Sequence, residues 1–524
     1  MGAGASADSQ VTQASPAELR ELAAQLPLSE QEKLQKALAL ALVGVVGAGV
    51  AGTNDSAGDG SLRVDVLLPS GRCEAVSMPP DSTVSDLEAA ARRALGLQGR
   101  LRLAGSDGEL LDREQKLSNG DQVTAIAQPV LVQTTDAAVA CFCSGGNCVV
   151  TWGHCNFGGD SDKVQKQLRN VSEIQACADG RFAAIRIDGT VVTWGDSDFE
   201  KSAKKVADQL TQVQRIQANG KVFAAIRADG SVVTWGNSQF GADISEVQEQ
   251  LRDVRQIQAA EYAFAAIRAD GTVVTWGKGP KGGDSSGVQD QLHDVHSIQK
   301  TNSGFAALKA DGSVVTWGDE GGNSSAVQDQ LRNVTQIQAT NWAFAAIRAD
   351  GQLVTWGNKS HGGDCSKVQE KLQGQSVVQV QANAEAFAAI MADGSVAAWG
   401  QNGSGGDCIA VQDQLFNVQH IQATKQRGAF AAIRADGRVV TWGSEHSGGD
   451  SSGVQDQLRD VRAIQSTRAA FAAIRSDGSV VAWGDKRWGG DSSAAQGLLT
   501  NVTQVQSTDD AFVAILSDGS VVSW

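Results

Sequence analysis

Apolar and polar residues follow the same order in a block that recurs along most of the chain. In one copy, mainly apolar runs occupy positions 257–259, 264–269 and 273–276, separated by more polar segments. Asp270-Gly271 lies between the last two runs, and Asp-Gly between apolar runs is typical of a tight hairpin because glycine accepts a positive φ. Each copy is therefore predicted to form three short strands, the last two joined by a hairpin.

The segment before each first strand carries apolar residues at a helical spacing. In the same copy Val247, Leu251 and Val254 stand at positions 0, +4 and +7, which favours one to two amphipathic helical turns. The repeat is predicted as three strands and a short helix, the helix taking the place of an outermost strand.

Aromatic residues mark the length of the repeat. Successive tryptophans lie 39 to 43 residues apart, at positions 152, 194, 235, 276, 317, 356, 399, 442, 483 and 524. Nine phenylalanines have the same period, at positions 182, 223, 264, 305, 344, 387, 430, 471 and 512. A period near 40 is typical of propellers and solenoids, in which each unit buries its faces against its neighbours. We predict a mainly β protein in which about ten three-stranded units form a β-propeller, or an open propeller-like superhelix, over residues 129–524.

The first quarter of the chain follows a different pattern. Residues 61–128 contain predicted strands and one predicted helix in the order ββαββ, which implies a small mixed sheet packed on that helix; the strands are at 62–67, 73–76, 100–103, 109–111 and 122–126, and the helix is at 83–95. Residues 1–60 are predicted to be a helical, partly disordered segment. Its apolar run at 37–52 is shorter than the roughly 20 residues that span a bilayer.

Charge narrows the range of functions. The 524 residues include 44 basic and 59 acidic side chains, a net charge of −15, so a phosphate-backbone or anionic-membrane surface is not expected. We therefore expect no nucleic acid partner. The first residues lack a secretory signal pattern, and eight cysteines are too few and too uneven for a disulfide scaffold. These features favour a cytoplasmic location, with the nucleus as a second compartment.

The repeat resembles a known family. The phrase Ile257-Gln258-Ala259, followed by Ala263-Phe264-Ala265-Ala266-Ile267, Asp270-Gly271 and Val274-Thr275-Trp276-Gly277, is similar to repeats of the regulator of chromosome condensation (RCC) family. The resemblance covers residues 130–524 and implies a β-propeller. Such repeats also occur in HECT-type ubiquitin ligases. Seven blades are usual in the family, whereas ten units are counted here.

Residues 62–127 resemble a ubiquitin-like (β-grasp) domain. The matching phrases are Leu67 with Pro69-Ser70-Gly71, residues 82–87, residues 100–105, Leu117-Ser118 and Gly120-Asp121. Gln128-Pro129 continues into the repeats in place of a Gly-Gly terminus, so the domain is not expected to be conjugated to other proteins.

Three groups of residues suggest chemistry, each with a structural alternative. Cys141, Cys143, Cys148, His154 and Cys155 are zinc-ligand types, but their spacing is not that of paired C-x-x-C knuckles, so we expect no metal and interpret the thiols as buried packing residues. Arginines recur beside the hairpin turns, at Arg186, Arg227, Arg268, Arg348, Arg434 and Arg475. They could form a ring that binds an anionic ligand, or each could form an ion pair with the aspartate of its own turn. We favour the ion pairs. Aspartates after Gly-Gly suggest calcium loops, but a single Asp per loop falls short of ~6–8 oxygen ligands, so capping of the following helix is the preferred interpretation.

The N-terminal sequence Met1-Gly2-Ala3-Gly4-Ala5-Ser6 fits the N-myristoylation pattern. Lipidation at Gly2 would give marginal, reversible membrane binding, because neither a polybasic patch nor a nearby cysteine supplies a second signal. A disordered tail of small residues is the alternative.

The loops between the first and second strands vary while the rest of the repeat is constant. Their variable residues are Arg181, Lys221, Tyr262, Ser303, Trp342, Glu385, Arg427, Arg468 and Asp510. Equivalent loops are expected on one rim. Tyr262 and Trp342 have no repeating packing role, and Tyr, Trp and Arg are common interface anchors. The alternative is drift in solvent-exposed loops.

No nucleophile–base pair, phosphate loop or paired carboxylates recur in the repeats. We therefore expect a non-enzymatic scaffold without a cofactor, whose propeller binds a protein partner through one rim. The ubiquitin-like module suggests a link to a ubiquitin-related pathway. The family resemblance implies an alternative function, guanine-nucleotide exchange on a small GTPase.

Overall fold

The computed structural model describes residues 62–67, 73–79, 82, 87, 90, 101–104, 122–127, 132–134, 138–143, 148–153, 155–177, 179–319, 321–426, 428–507, 509–517 and 521–524. The predicted N-terminal segment, the strand at 109–111 and most of the helix at 83–95 lie outside these residues. The predicted lipidation at Gly2 lies outside them too.

A four-stranded sheet precedes the repeats. Its strands are β1 (Leu62–Leu67), β2 (Cys73–Met78), β3 (Leu101–Ala104) and β4 (Gln122–Ala127). Their order is β2-β1-β4-β3; β1 runs parallel to β4, and both outer pairs are antiparallel. Val64, Val76 and Leu87 are buried, and Leu87 is helical. The predicted hairpin and the mixed sheet are thus present.

Ten three-stranded antiparallel sheets follow, numbered here as units 1 to 10. Their strands are β5 (Val132–Thr134), β6 (Ala138–Cys143) and β7 (Cys148–Gly153) in unit 1; β8 (Val171–Cys177), β9 (Arg181–Arg186) and β10 (Val191–Trp194) in unit 2; β11 (Val213–Ala218), β12 (Val222–Arg227) and β13 (Val232–Gly236) in unit 3; β14 (Val254–Ala259), β15 (Ala263–Arg268) and β16 (Val273–Gly277) in unit 4; β17 (Val295–Lys300), β18 (Gly304–Lys309) and β19 (Val314–Gly318) in unit 5; β20 (Val334–Ala339), β21 (Ala343–Arg348) and β22 (Leu353–Gly357) in unit 6; β23 (Val377–Ala382), β24 (Ala386–Met391) and β25 (Val396–Gly400) in unit 7; β26 (Val418–Ala423), β27 (Ala429–Arg434) and β28 (Val439–Gly443) in unit 8; β29 (Val461–Ser466), β30 (Ala470–Arg475) and β31 (Val480–Gly484) in unit 9; and β32 (Val502–Ser507), β33 (Phe512–Leu516) and β34 (Val521–Ser523) in unit 10. The predicted three-strand unit is confirmed, and the array is propeller-like.

Both faces of each middle strand are buried between neighbouring units. In unit 3, Phe223 and Ala225 pack against unit 2, whereas Val222 and Ala224 pack against unit 4. Successive side chains of a strand point to opposite faces, so an apolar run can fill two interfaces at once. The small Ala side chains allow the sheets to approach, and the aromatic rings fill the space between them.

A contact between Gly, Phe and Trp recurs at the interfaces. Gly282, at the end of the loop after unit 4, has φ +97°, and a Cβ there would lie 2.7 Å from the Phe305 ring of unit 5. The Trp317 indole N–H donates to the Gly282 carbonyl at 3.1 Å, and the Trp317 and Phe305 rings stack at 5.3 Å. The same indole bond recurs at 3.0 Å in six further described units. Seven units therefore close on the loop before them, whereas the buried indole N–H groups of Trp235 and Trp356 have no hydrogen-bond partner among the described residues.

The segments between units are mostly short turns. The α-helices here are α1 (Ser197–Lys204) and α2 (Gln369–Leu372). One set of 3₁₀ turns follows the third strand, at Cys155–Phe157, Ser238–Phe240, Gly279–Lys281, Lys359–His361, Asn402–Ser404, Glu445–Ser447 and Lys486–Trp488. A second set precedes the next first strand, at Ala207–Gln209, Ser286–Gln291, Gln328–Gln330, Ser366–Val368, Ile409–Gln414, Gln455–Gln457 and Gln496–Leu498.

The predicted amphipathic helix is wrong for the connector through Val247, Leu251 and Val254. Val247 and Leu251 lie in hydrogen-bonded turns that do not continue into a helix. Val254 is the first residue of strand β14. The three side chains nevertheless share one core with Phe264, because a tight turn running into a strand also places apolar side chains on one side.

A buried serine holds each of several connectors to the preceding sheet. The Ser285 hydroxyl is 4% exposed and lies 2.9 Å from the Thr275 hydroxyl and 2.8 Å from Oε1 of Gln289. The Gln289 amide in turn donates to the Val273 carbonyl at 3.0 Å. This network recurs at Ser161, Ser324, Ser451 and Ser492.

Ser285→Ala is expected to lower the free energy of unfolding by about 1–2 kcal/mol, because it leaves buried polar groups without a partner. Ser286→Ala, one residue further along the same turn, removes an exposed hydroxyl and is the matched control. Urea denaturation of the two variants checks the difference; equal midpoints would contradict the role given to the Ser285 network.

Candidate functional site

The arginines at the hairpin end have structural partners. The guanidinium of Arg268 lies 3.4 Å from the carboxylate of Asp270, and its Nε donates to the Arg252 carbonyl at 3.1 Å. The Thr272 hydroxyl, which donates to Asp270, holds the pKa of that carboxyl below its ordinary value, with Arg268 adding to the effect. Equivalent ion pairs form at Arg186, Arg227, Arg348, Arg434 and Arg475. The preference for pairing over an anion-binding ring is confirmed at these positions.

The aspartates after Gly-Gly organise turns, whereas the predicted capping of the following helix is wrong, because the N-cap residue of the turn at Ser286–Gln291 is Ser285 and its side chain makes no capping bond. Asp284 Oδ1 accepts the backbone N–H of Ser286 at 2.9 Å, and this bond lowers the pKa of the Asp284 carboxyl. The same bond forms at Asp160, Asp364, Asp407, Asp450 and Asp491. No group of three or more metal-ligand side chains occurs among the residues that the structure describes.

The cysteine cluster lies mostly outside the described side chains. Cys141, Cys143 and Cys148 lie in strands β6 and β7, but only their backbone is described, and His154 is outside the described residues. Cys155 is exposed, so the prediction of a buried packing thiol is wrong at that position. Elsewhere, Cys177 is a buried free thiol, and burial raises its pKa to about 11. That cysteine is a packing residue.

The variable loop residues lie at the end of each unit opposite the hairpin turn; we call this end the rim. Ser303 is buried, and the other rim residues in the described part are half-buried. They are Arg181, Lys221, Tyr262, Trp342, Glu385, Arg468 and Asp510. Arg427 lies outside the described residues. The rim side chains are thus neither freely extended into solvent nor part of the repeating core.

Most rim residues rest on the short turn that follows the third strand of their own unit. The Lys221 ammonium lies 4.8 Å above the Phe240 ring, and the Arg468 guanidinium lies 5.4 Å from the Trp488 ring. The Trp342 and His361 rings are 6.2 Å apart. A cation therefore faces an aromatic ring in several different units, with the partners changing from unit to unit.

Buried polar residues fix the rim loops to the same turns. Asn219 Oδ1 accepts the backbone N–H groups of Lys221 and Val222, while its amide donates to the Phe240 carbonyl at 3.0 Å. Asn383 makes the same three bonds in unit 7. Thr340 and Thr467 do so with hydroxyl groups, donating to His361 and Trp488 at 3.1 and 2.8 Å. The rim is held in place before any partner binds.

Side chains of units 3 and 4 form one continuous stack on the rim. Phe240 stacks on Tyr262 at 5.3 Å, and the Lys221 ammonium also lies over the Phe240 ring. Lys278 lies 5.5 Å above the Tyr262 ring, and a hydrogen bond to Glu261 raises the pKa of the Tyr262 hydroxyl. Tyr262 and Trp342 were predicted to have no repeating packing role, and the rings that they contact, Phe240 and His361, differ from unit to unit.

Charges connect the rim across units 8 to 10. The Arg468 guanidinium lies 3.4 Å from Asp509 and 3.9 Å from Asp510. Lys425 reaches past unit 9 to Asp509 at 2.7 Å. Backbone bonds support the same region, with Arg468 N–H donating to the Asp509 carbonyl and Lys425 N–H donating to Thr467. Asp510 is thus part of a charged cluster with cations from two other units.

None of the helices among the described residues has the length and apolar character needed to cross a bilayer. The apolar run at 37–52 lies outside these residues.

The chain has limited similarity to known proteins. No protein-family model matches it, and no curated protein sequence matches it. Solved structures that match parts of this chain include the CRINKLY WD40 ectodomain of the Arabidopsis thaliana receptor kinase ACR4, at 15% identity over 50% of this chain and 90% of that chain, with a TM-score of 0.27. Yeast RCC1 (Prp20), solved bound to Kap60, is similar at 14% identity over 53% of this chain and 71% of that chain, with a TM-score of 0.30. The computationally designed protein Ika8 is similar at 16% identity over 60% and 96% of the two chains, with a TM-score of 0.27. Identities at this level concern the fold alone.

Proposed function

We propose that the chain is a non-enzymatic scaffold that binds a protein partner through the rim of its repeat array. One observation carries this proposal: the rim is the place where side chains differ from unit to unit while the frame that holds them repeats. Tyr262, Trp342 and Arg468 supply the residue types that dominate binding energy at protein interfaces.

The rigid support of the rim favours binding. Asn219, Thr340, Asn383 and Thr467 hold the loops in place, and the turn aromatics restrict the side chains above them. Side chains that are already ordered lose less entropy when a partner binds, so more of the contact energy contributes to affinity. A cytoplasmic location is part of the proposal.

We also propose that residues 61–128 form a ubiquitin-like domain that links the scaffold to a ubiquitin-related pathway. The order β2-β1-β4-β3, with parallel β1 and β4 in the centre, supports this assignment. The predicted myristoylation of Gly2 stays a prediction.

Affinity purification with the full chain, followed by measurement of the Kd of the recovered partner, tests the rim. The triple substitution Tyr262→Ala, Trp342→Ala and Arg468→Ala is expected to weaken binding by about 100-fold or more, since each anchor contributes about 1 kcal/mol or more. The matched control changes three residues at the hairpin end, Ile187→Ala, Gln352→Ser and Arg438→Ser, each to the residue of a sister unit.

Deletion of residues 61–128 completes the comparison. It is expected to remove ubiquitin-pathway proteins from the recovered set while leaving rim partners bound. Undiminished partner binding by the rim variant, or an equal loss in the hairpin-end control, would exclude the rim as the binding surface.

A further inference from the structure

The first strands of the units form a second continuous surface. Each first strand is the edge strand of its sheet, and successive first strands contact one another from β5 to β32. Their valine and isoleucine side chains are mostly buried in the interfaces between units, while most of the remaining positions are half-buried or exposed, with Arg255 and Gln299 exposed. We call this surface the first-strand wall; it is distinct from the rim loops.

One polar residue is present in every unit of this wall. A glutamine follows the central Ile or Val of each first strand, at positions 133, 175, 217, 258, 299, 338, 381, 422, 465 and 506. The neighbouring positions vary freely; the second residue of the strand, for example, is Arg255, His296, Thr335 or Val378 in units 4 to 7.

Most of these glutamines have no structural task that explains their recurrence. In the described part of the chain, Gln175 donates to the Ala176 carbonyl at 3.1 Å and Gln422 donates to the Ser466 hydroxyl at 3.0 Å. The other amides make no hydrogen bond to described protein atoms. Each carries two donors and an acceptor, so together they form a row of groups able to bind the backbone of an extended chain.

The wall is basic in a protein that is acidic overall. The first strands carry Arg215, Arg255, Lys300 and Arg462 but a single acid, Glu173, whereas the whole chain has a net charge of −15. Arg215 is close enough to Glu173 to lower the pKa of that carboxyl, although burial raises it more.

Three of these cations form no ion pair with a carboxylate of the described residues, although the charge of Glu261 acts on Lys300. The Arg255 guanidinium donates to the Val295 carbonyl of the next unit at 2.7 Å, and the Arg462 guanidinium donates to the Val502 carbonyl at 2.9 Å. Carbonyl bonds hold these groups in place without neutralising them. Lys300 stands where the neighbouring units have Ala259 and Ala339, and burial lowers the pKa of its ammonium. The hairpin-end arginines, by contrast, are paired with aspartates.

We propose that the first-strand wall binds an extended acidic polypeptide segment, with the glutamine row contacting its backbone and Arg255, Lys300 and Arg462 contacting its carboxylates. A nucleic acid fits this surface less well. The first strands contain no Phe, Tyr or Trp on which a base could stack, and three unpaired cations spread over six units match scattered carboxylates better than closely spaced phosphates.

Fluorescence anisotropy with the full chain tests the proposal, using a labelled peptide of alternating Glu and Ser as the probe. The variant Arg255→Gln, Lys300→Ala and Arg462→Gln takes its new residues from sister positions Gln214, Ala259 and Gln419, which preserves the fold. The control variant carries Arg252→Thr, Arg332→Thr and Arg459→Thr, which make the same change in net charge on exposed connectors. Threonine is the residue at the equivalent position of two other connectors, Thr211 and Thr500.

The wild type is expected to bind this peptide more tightly than a Gln/Ser counterpart, and the wall variant to bind it about tenfold more weakly. The connector control should stay within about twofold of the wild type, and binding should weaken with added salt. No binding by the wild type, equal loss in both variants, or tighter binding of single-stranded oligothymidine would overturn the proposal. Substitutions at the rim should leave binding of the acidic peptide unchanged. A failure of the wall proposal can therefore be distinguished from a failure of the proposed rim function.

Discussion

Phe387→Ala is expected to lower the local free energy of unfolding of units 6 and 7 by about 3–5 kcal/mol. The Phe387 side chain has no exposed surface, stacks on Trp399 at 5.3 Å and packs against Ala343 and Ala345 of unit 6. Its removal leaves a cavity at the interface between the two sheets. The sheets cannot close this cavity without moving a whole unit. Hydrogen exchange of the β21 and β24 amides measures the change.

Phe416→Ala is the matched control for this variant. Phe416 lies in a connector, is 45% exposed and contacts the Arg434 guanidinium at 3.8 Å. Its loss should cost about 1 kcal/mol or less. Similar effects of the two substitutions would contradict the importance given to the aromatic interfaces.

Gly282→Ala should destabilise units 4 and 5 by about 2–4 kcal/mol. The residue has φ +97°, which an L side chain adopts only with strain, and the added Cβ would lie 2.7 Å from two carbons of the buried Phe305 ring. Relief requires either a shift of that ring or loss of the Trp317 indole bond to the Gly282 carbonyl.

Gly287→Ala provides the comparison within the same connector. Nothing lies within 4 Å of a Cβ at Gly287, so this substitution should change stability by less than about 1 kcal/mol, or slightly stabilise the chain. Urea denaturation followed by tryptophan fluorescence compares the two. A Gly282→Ala protein as stable as the Gly287→Ala protein would show that the Gly–Phe–Trp contact is not a structural requirement.

The strand pattern could be predicted from the sequence because its causes are local. Asp270-Gly271 specifies a hairpin by itself, and the register that pairs Phe264 with Trp276 follows from that turn. The recurrence of the tryptophans then gives the number of units. The conformation of the connectors was harder to predict, because apolar residues such as Val247 and Leu251 can reach one core either from a helix or from a tight turn.

The arrangement of the rim could be predicted only in part. The loops were identified from their variability, but no role was predicted for the turn residues beneath them, such as Phe240, His361 and Trp488. The residue five positions after each repeat tryptophan differs between units, and it contacts the rim residue of its unit, as Phe240 contacts Lys221 and Trp488 contacts Arg468. This variable position is the signal that could have identified the contacts. Such pairs depend on contacts between segments far apart in the chain, which periodicity does not reveal.

The central claim is that a unit owes its stability to the copies beside it. Hydrogen exchange across all described units, compared between the wild type and Phe387→Ala, tests it most directly. Protection should fall most in units 6 and 7, where the damaged interface lies, and the loss should fade toward units 2 and 3. A loss confined to unit 7 while unit 6 keeps full protection would mean that single units are stable alone and would contradict the claim.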